Sequence, residues 1–226
     1  MTTARRRIYL MRHAQVRYFD GLPPEQVVLT EEGRRQAEAA GQALRGVTFD
    51  RVLTSGLTRT LETAGLVAPG LELESHPALR EIESGDLRTT DPEQVRAMMA
   101  SAFRGSVPLD AQFLGGETIG ALLDRVLPEL DALLADPAWD VVLLVLHGGV
   151  NRAILGRAVT GERAFLGAFE QSPACINVLD VDGDGVFVVR AVNLTPYDPV
   201  KAGGSRKTTM EELWEQYLGG VGSPVK

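Results

Sequence analysis

Val141-Val142-Leu143-Leu144-Val145-Leu146 runs directly into His147-Gly148-Gly149. The six apolar residues show no polar alternation and are too few to span a bilayer. This is the pattern of a central strand covered on both faces, as found in the parallel sheets of α/β proteins. The glycines open a strand-to-helix turn, and a helix is expected over 150–159. Sites in open α/β sheets form where strands end and helices begin. His147 therefore stands at a candidate site.

The same grammar repeats on either side. Ile8-Tyr9-Leu10-Met11 reads as a buried strand that delivers Arg12 and His13 to its carboxyl end. Helices are expected over 30–44, with Thr30 as N-cap, and over 57–67. Short strands are expected at 51–54 and 71–74. A further helix should run from Asp91-Pro92 to Phe103, and a long one over 118–135 with Pro128 as a kink. Two last strands, 175–181 and 186–192, flank the hairpin turn Asp182-Gly183-Asp184-Gly185. Strands alternating with helices predict an α/β fold, a three-layer αβα sandwich. Its central sheet is mostly parallel, with an antiparallel edge. One domain is expected over 1–200, with a cap insertion around 86–116. A linker and an amphipathic C-terminal helix fill 201–226.

Composition narrows the function classes. The chain has 226 residues, 44% hydrophobic and 23% charged, enough for a packed core without disulfides. One cysteine, Cys175, excludes an internal disulfide and a cysteine-based zinc site, and fits a reducing compartment. The formal net charge of -7 argues against nucleic-acid and membrane partners. No signal or membrane segment is read, so a cytoplasmic protein is expected. Of 23 basic residues only Lys201, Lys207 and Lys226 are lysine. Genome composition accounts for most of that bias, and bidentate oxyanion binding is the sharper reading for some arginines. Only three histidines occur, and His13 and His147 both fall at carboxyl ends of predicted strands. A neutral imidazole is a competent nucleophile, and arginine forks neutralise the spread charge of a phosphoryl group. Backbone N–H groups at a Gly148-Gly149 helix start would add donors.

These residues fall in a known order. Leu10-Met11-Arg12-His13-Ala14 resembles the Arg-His-Gly signature of the histidine phosphatase superfamily, the phosphoglycerate-mutase-like proteins. Ser55-Gly56-Leu57-Thr58-Arg59-Thr60-Leu61-Glu62-Thr63-Ala64, Leu79-Arg80-Glu81-Ile82-Glu83-Ser84-Gly85, Gly115-Gly116-Glu117-Thr118 and His147-Gly148-Gly149-Val150-Asn151-Arg152 resemble its later motifs, from about residue 8 to 195. The resemblance implies that His13 is the nucleophile that becomes phosphohistidine. It implies that Arg12, Arg59, His147 and Gly148 bind the phosphoryl oxygens. It makes Glu81 the acid that protonates the leaving oxygen, with Glu83 as its neighbour in reserve. It implies a metal-independent phosphomonoesterase with no cofactor, acting on a small phosphorylated metabolite and releasing phosphate. The alternatives are a phosphoglycerate-type mutase and a catalytically weak phospho-ligand-binding protein.

The chain departs from that pattern at several points. Ala14 replaces a glycine, Gln15 a frequent glutamate, Gly56 a common proline. Phe19 stands where many members carry an asparagine that touches phosphate. The mutase stretch after Phe19-Asp20-Gly21-Leu22 is missing, which favours a phosphatase. The cap mixes Arg88, Arg96 and Arg104 with Asp86, Asp91, Glu93 and Asp110, so it is no basic funnel. Met98, Met99, Phe103, Phe113 and Leu114 either pack the cap or line an apolar pocket for an aromatic or apolar ester. In the tail, Thr208 and Glu211 form a capping box. Met210, Leu213, Trp214, Tyr217 and Leu218 share a face that docks on this chain's own core, or serves as a lid or homodimer contact. Asp180-x-Asp182-x-Asp184-Gly185 reads as a hairpin and not as a calcium loop, because Ala191 holds the twelfth position. His76 reads as a loop residue.

Overall fold

The computed structural model describes residues 5–87, 89–203 and 206–221. Cap residue Arg88 and linker residues Gly204 and Ser205 lie outside them. In chain order the strands are β1 (Arg6–Arg12), β2 (Arg51–Thr54), β3 (Leu73–Ser75), β4 (Val141–Leu146), β5 (Ile176–Val181) and β6 (Phe187–Leu194). The helices are α1 (Glu31–Ala43), α2 (Thr58–Val67), α3 (Pro92–Ser101), α4 (Ile119–Ala135), α5 (Gly148–Thr160) and α6 (Thr209–Val221).

The six strands form one sheet in the order β3-β2-β4-β1-β5-β6. β4 lies between β1 and β2 and is parallel to both, while β5 and β6 are antiparallel additions. The apolar run therefore occupies an inner strand, as its lack of alternation required. Its side chains alternate between two cores. Val142, Leu144 and Leu146 pack with α4 and α5, and Leu143 and Val145 pack with α1 and α2. Helices thus cover both faces, giving the expected three layers. Leu143 and Leu146 are fully buried. Truncating either to alanine would cost about 2–5 kcal/mol, the transfer term plus the cavity left behind.

Register does the functional work. Arg12 pairs with Leu146 across the β1–β4 ladder, so the next residues, His13 and His147, leave neighbouring strands at one level. The His13 N–H donates to the Leu146 carbonyl at 2.9 Å, extending the ladder into the site.

Several boundaries shift from the sequence expectation. α5 begins at Gly148, two residues early, with His147 as its N-cap. α3 ends at Ser101, because Phe103 turns to a φ of 59°. Its backbone there packs so closely on Gly167 that a Cβ on that glycine would lie 2.5 Å from the Phe103 carbonyl carbon. β3 starts at Leu73, after the Gly70 turn, and β6 runs to Leu194. Asp182 Oδ1 accepts from the N–H groups of Asp184 and Val186, which closes the β5–β6 hairpin.

The cap and tail make a third cluster. Val95 and Met99 of α3 pack with Leu87, Leu114, Met210 and Tyr217, and Phe19, Leu213 and Trp214 join the edge. α6 is capped as expected: the Thr208 N–H donates to Glu211 Oε2 at 2.6 Å. Leu218 is the exception on its apolar face, being half exposed. The rest of that face is filled within the chain. No helix among the described residues is long and apolar enough to cross a membrane.

Candidate active site

His13 and His147 meet above the carboxyl ends of β1 and β4, their ring centroids 5.3 Å apart. Both are buried. His13 Nδ1 lies 2.8 Å from the Ala14 carbonyl. A carbonyl accepts only, so Nδ1 carries the proton and Nε2 carries the lone pair. His147 is held the other way round. Its Nε2 lies 2.8 Å from Ser55 Oγ, just after β2. Its Nδ1 is buried and has no partner among the described residues.

Arg12 and Arg59 flank this pair. Arg12 Nη1 donates to the Gln171 carbonyl at 2.6 Å, and Arg59 Nη1 to the Pro24 carbonyl at 2.8 Å. Each guanidinium is anchored by one arm, and its Nε is buried without a partner. Among the described residues Arg12 Nε, Arg59 Nε and His147 Nδ1 are thus buried nitrogens without a partner, and both arginines act electrostatically on both imidazoles. Unsatisfied buried donors are costly, so their clustering marks a place for an acceptor-rich anion. Burial, then Arg59 and Arg12, holds His13 well below the ordinary imidazole pKa. His147 is lowered likewise by burial, Arg59, His13 and Arg12. Both rings are neutral at physiological pH.

Glu81 comes from the loop before the cap. Its Oε1 accepts from the Gly149 N–H and from its own neighbour Ile82, both at 3.0 Å. The carboxylate thus sits at the positive end of α5. A Cβ at Gly149 would stand 2.7 Å from Glu81 Oε1 and 2.9 Å from the Ile82 side chain, so a larger residue would push the carboxyl group off the helix start. The loop itself is clamped. Arg125 of α4 donates to the carbonyls of Ala78, Arg80 and Glu81 and pairs with Glu117. Glu117 in turn receives the Glu83 N–H at 3.2 Å. The third and fourth motifs therefore meet to hold one loop. Glu83 is exposed and spent on this clamp through its backbone, whereas Glu81 is the carboxylate that reaches α5. Gly148 opens α5 beside Arg12 Nε and Glu81 Oε2, each 3.7 Å from where its Cβ would be.

The departures have local explanations. Ala14 is fully buried and donates its N–H to Thr63 Oγ1. Gln15 faces away from the histidines, its Oε1 accepting from the α1 cap Thr30. Gly56 has a φ of 80°, which proline cannot adopt. Phe19 points to α6, its ring edge-on to Tyr217 at 5.6 Å.

Four site residues had no assigned role in the sequence. Tyr18 Oη lies 3.0 Å from His13 Nε2, the one ring nitrogen free for chemistry. Ser55 Oγ holds His147 through Nε2 at 2.8 Å. Gln171 is buried and bonds Asn151 and Asn177 beneath Arg12. Arg152 is buried, lowered to about 10 by that burial, and bonds the Gly148 and Gly167 carbonyls. Ser55 and Arg152 stand inside quoted motifs, which was their only signal. A cavity of about 480 Å³ opens between α3, α5 and α6, lined by Met99, Phe103, Arg104, Arg152, Glu170 and Trp214 among others. His76 proves to be paired, with Nδ1 3.0 Å from Glu129 Oε2. Among the described residues no group of three or more His, Cys, Asp or Glu could hold a metal ion.

The family model described as "Histidine phosphatase superfamily (branch 1)" matches residues 8–195. A Salmonella typhimurium protein named adenosylcobalamin/alpha-ribazole phosphatase is 29% identical over 201 residues, covering 83% of this chain and 96% of that protein. A Yersinia pestis protein named "Probable phosphoglycerate mutase GpmB" is 33% identical over 155 residues, covering 62% of this chain and 69% of that one. Among solved structures, a mycobacterial glucosyl-3-phosphoglycerate phosphatase superposes with a TM-score of 0.69 at 25% identity, covering 84% of this chain and 99% of its own.

Proposed function

The chain belongs to the histidine phosphatase superfamily, branch 1, and from that footing we propose that it hydrolyses a small phosphomonoester through a phosphohistidine on His13. One observation carries the reading: Arg12 Nε, Arg59 Nε and His147 Nδ1 are buried and unpaired among the described residues, on side chains that neighbour or act electrostatically on His13, whose Nε2 carries the lone pair. A phosphoryl group supplies three acceptor oxygens for those donors and a phosphorus atom for that lone pair.

Each residue then has a role. Arg12, Arg59 and His147 bind the non-bridging oxygens and neutralise their charge, and the Gly148 N–H at the start of α5 adds a backbone donor. His13 Nε2 attacks phosphorus, forming the P–N bond as the ester P–O bond breaks. Glu81, entering the cycle protonated with Oε1 still accepting the Gly149 N–H, gives the proton on its other oxygen to the leaving oxygen. In the second half a water gives a proton back to Glu81 and attacks phosphorus, and the P–N electron pair returns to Nε2. No step calls for a metal ion, and the anion is held by nitrogen donors alone. The single buried thiol, Cys175, suits the cytoplasm.

We assign the alcohol portion of the ester to the cavity under the cap, whose Met99, Phe103, Met210 and Trp214 favour an apolar or aromatic part although Arg96, Arg104, Arg152, Glu170 and Glu211 also line it. Transfer to a second substrate hydroxyl, as in a mutase, is the competing outcome, because one relative carries a mutase name. The test is turnover of a phosphomonoester panel in the presence of EDTA, following inorganic phosphate. Stoichiometric phosphate release that EDTA leaves unchanged supports the proposal. Loss of activity with EDTA, or transfer of the phosphoryl group to an added alcohol without phosphate release, contradicts it.

A further inference from the structure

We propose that the Tyr18 hydroxyl is a ligand of the transferred phosphoryl group, supplying from position 18 the polar contact that Phe19 cannot give. This rests on the phosphohistidine reading. Because His13 Nδ1 holds its proton against the Ala14 carbonyl, Nε2 is an acceptor and Tyr18 is the donor in their 3.0 Å contact. The hydroxyl therefore lies on the lone pair that must attack. It has to leave when phosphorus arrives, and it keeps its proton when it does. The nearest new acceptors are the non-bridging oxygens carried by that same phosphorus.

The surroundings allow this shift and little else. The Tyr18 backbone is pinned by α6, where Gln216 Oε1 accepts its N–H at 3.1 Å. The ring stands edge-on to His13, and the Arg59 guanidinium lies 5.7 Å from its centroid. A small change in χ1 about that held backbone is enough to lift the hydroxyl off Nε2, and the ring moves with it. Residue 19 cannot substitute. Phe19 is turned into the cap, where its Cβ crowds Gly220 of α6 so closely that a side chain there would stand 2.6 Å away. The same helix therefore withdraws residue 19 and presents residue 18.

The exchange is balanced. As the Nε2 pair forms the P–N bond and the ester P–O pair goes to the leaving oxygen, the Tyr18 hydrogen bond passes from Nε2 to a non-bridging oxygen. Its O–H bond stays intact. When water attacks phosphorus and the P–N pair returns to Nε2, the hydrogen bond returns with it. Tyr18 thus stabilises the charged phosphoryl group and re-covers the free nucleophile.

The experiment is Tyr18→Phe in the full chain, which removes one oxygen and keeps the ring, assayed with nitrophenyl phosphate and with orthovanadate as a transition-state mimic. Loss of one hydrogen bond to a charged group predicts a fall in kcat of about 10- to 100-fold and a comparable weakening of vanadate inhibition, with KM little changed. Gln216→Ala should give a smaller fall of the same kind. A Tyr18→Phe enzyme as fast as the parent, or faster, would mean the hydroxyl only plugs the site and overturns the proposal. So would slower turnover with vanadate inhibition intact. His13→Ala separates the two readings. If it still turns over, the phosphohistidine reading fails. If it is dead while Tyr18→Phe is unimpaired, only the Tyr18 role fails.

Discussion

The floor of the site and its roof are built on different principles. The floor consists of His13 and His147, set side by side by the β1–β4 register and backed by buried ladder hydrogen bonds. The roof consists of Tyr18, Phe19, α3 and α6, held by aromatic contacts and a few side-chain to backbone bonds. A ladder admits no one-residue slip without turning every side chain over. An aromatic cluster can repack at modest cost. On the proposed reading the floor is where the chemistry is fixed, and the roof is where the substrate and the polar shell around phosphorus are chosen.

The largest expected effect strips a charge that flanks the floor. Arg59→Ala removes a buried guanidinium that has no substitute, and should lower kcat/KM by about 100- to 1,000-fold. A change below tenfold would place the phosphoryl group elsewhere. Glu81→Gln comes next, through its leaving-group dependence. With an alkyl phosphate, whose leaving oxygen needs a proton, kcat should fall about 100-fold or more, and with nitrophenyl phosphate much less. Equal losses on both substrates would remove Glu81 from the acid role. Arg125→Ala, which loosens the Glu81 loop, should reproduce that substrate dependence at about tenfold.

How much of this was legible in the sequence follows the same division. The strand that delivers His147 was readable because a buried strand has no choice but to be apolar throughout. The positions of Arg12, Arg59 and Glu81 followed from motifs whose spacing the fold requires. Tyr18 was not readable. A tyrosine four residues past Ala14 has no periodic signature, and its backbone is held by Gln216, nearly two hundred residues away. The Ser55 contact of His147 was hidden for the same reason, since it forms only through the β2–β4 pairing. Leu218 misled because helical spacing alone cannot tell the edge of a packed face from its centre.

The roof gives the smaller predictions. The cavity under the cap should make nitrophenyl phosphate a better substrate than 3-phosphoglycerate, by about tenfold in kcat/KM. The reverse ranking would assign that cavity to something other than the ester. The mildest effect is on stability. Both imidazoles are kept neutral in the fold, so below pH ~6.5 the unfolded chain takes up protons that the folded chain refuses. Their contribution is complete above that pH. Below it, stability should fall by up to about 1.4 kcal/mol per pH unit for each ring. Denaturant melts between pH 7.5 and 5.5 in phosphate-free buffer check this, and a flat profile would mean that the histidines are not held neutral.

The most direct test of the central claim is to trap the phosphoenzyme. Mixing enzyme with excess nitrophenyl phosphate, denaturing in alkali (where phosphohistidine survives) and mapping peptides by mass should find one phosphoryl group on the peptide carrying His13. It should be lost in acid and absent from His13→Ala. Phosphate release at the parent rate with no label on His13, or from His13→Ala, would contradict the account.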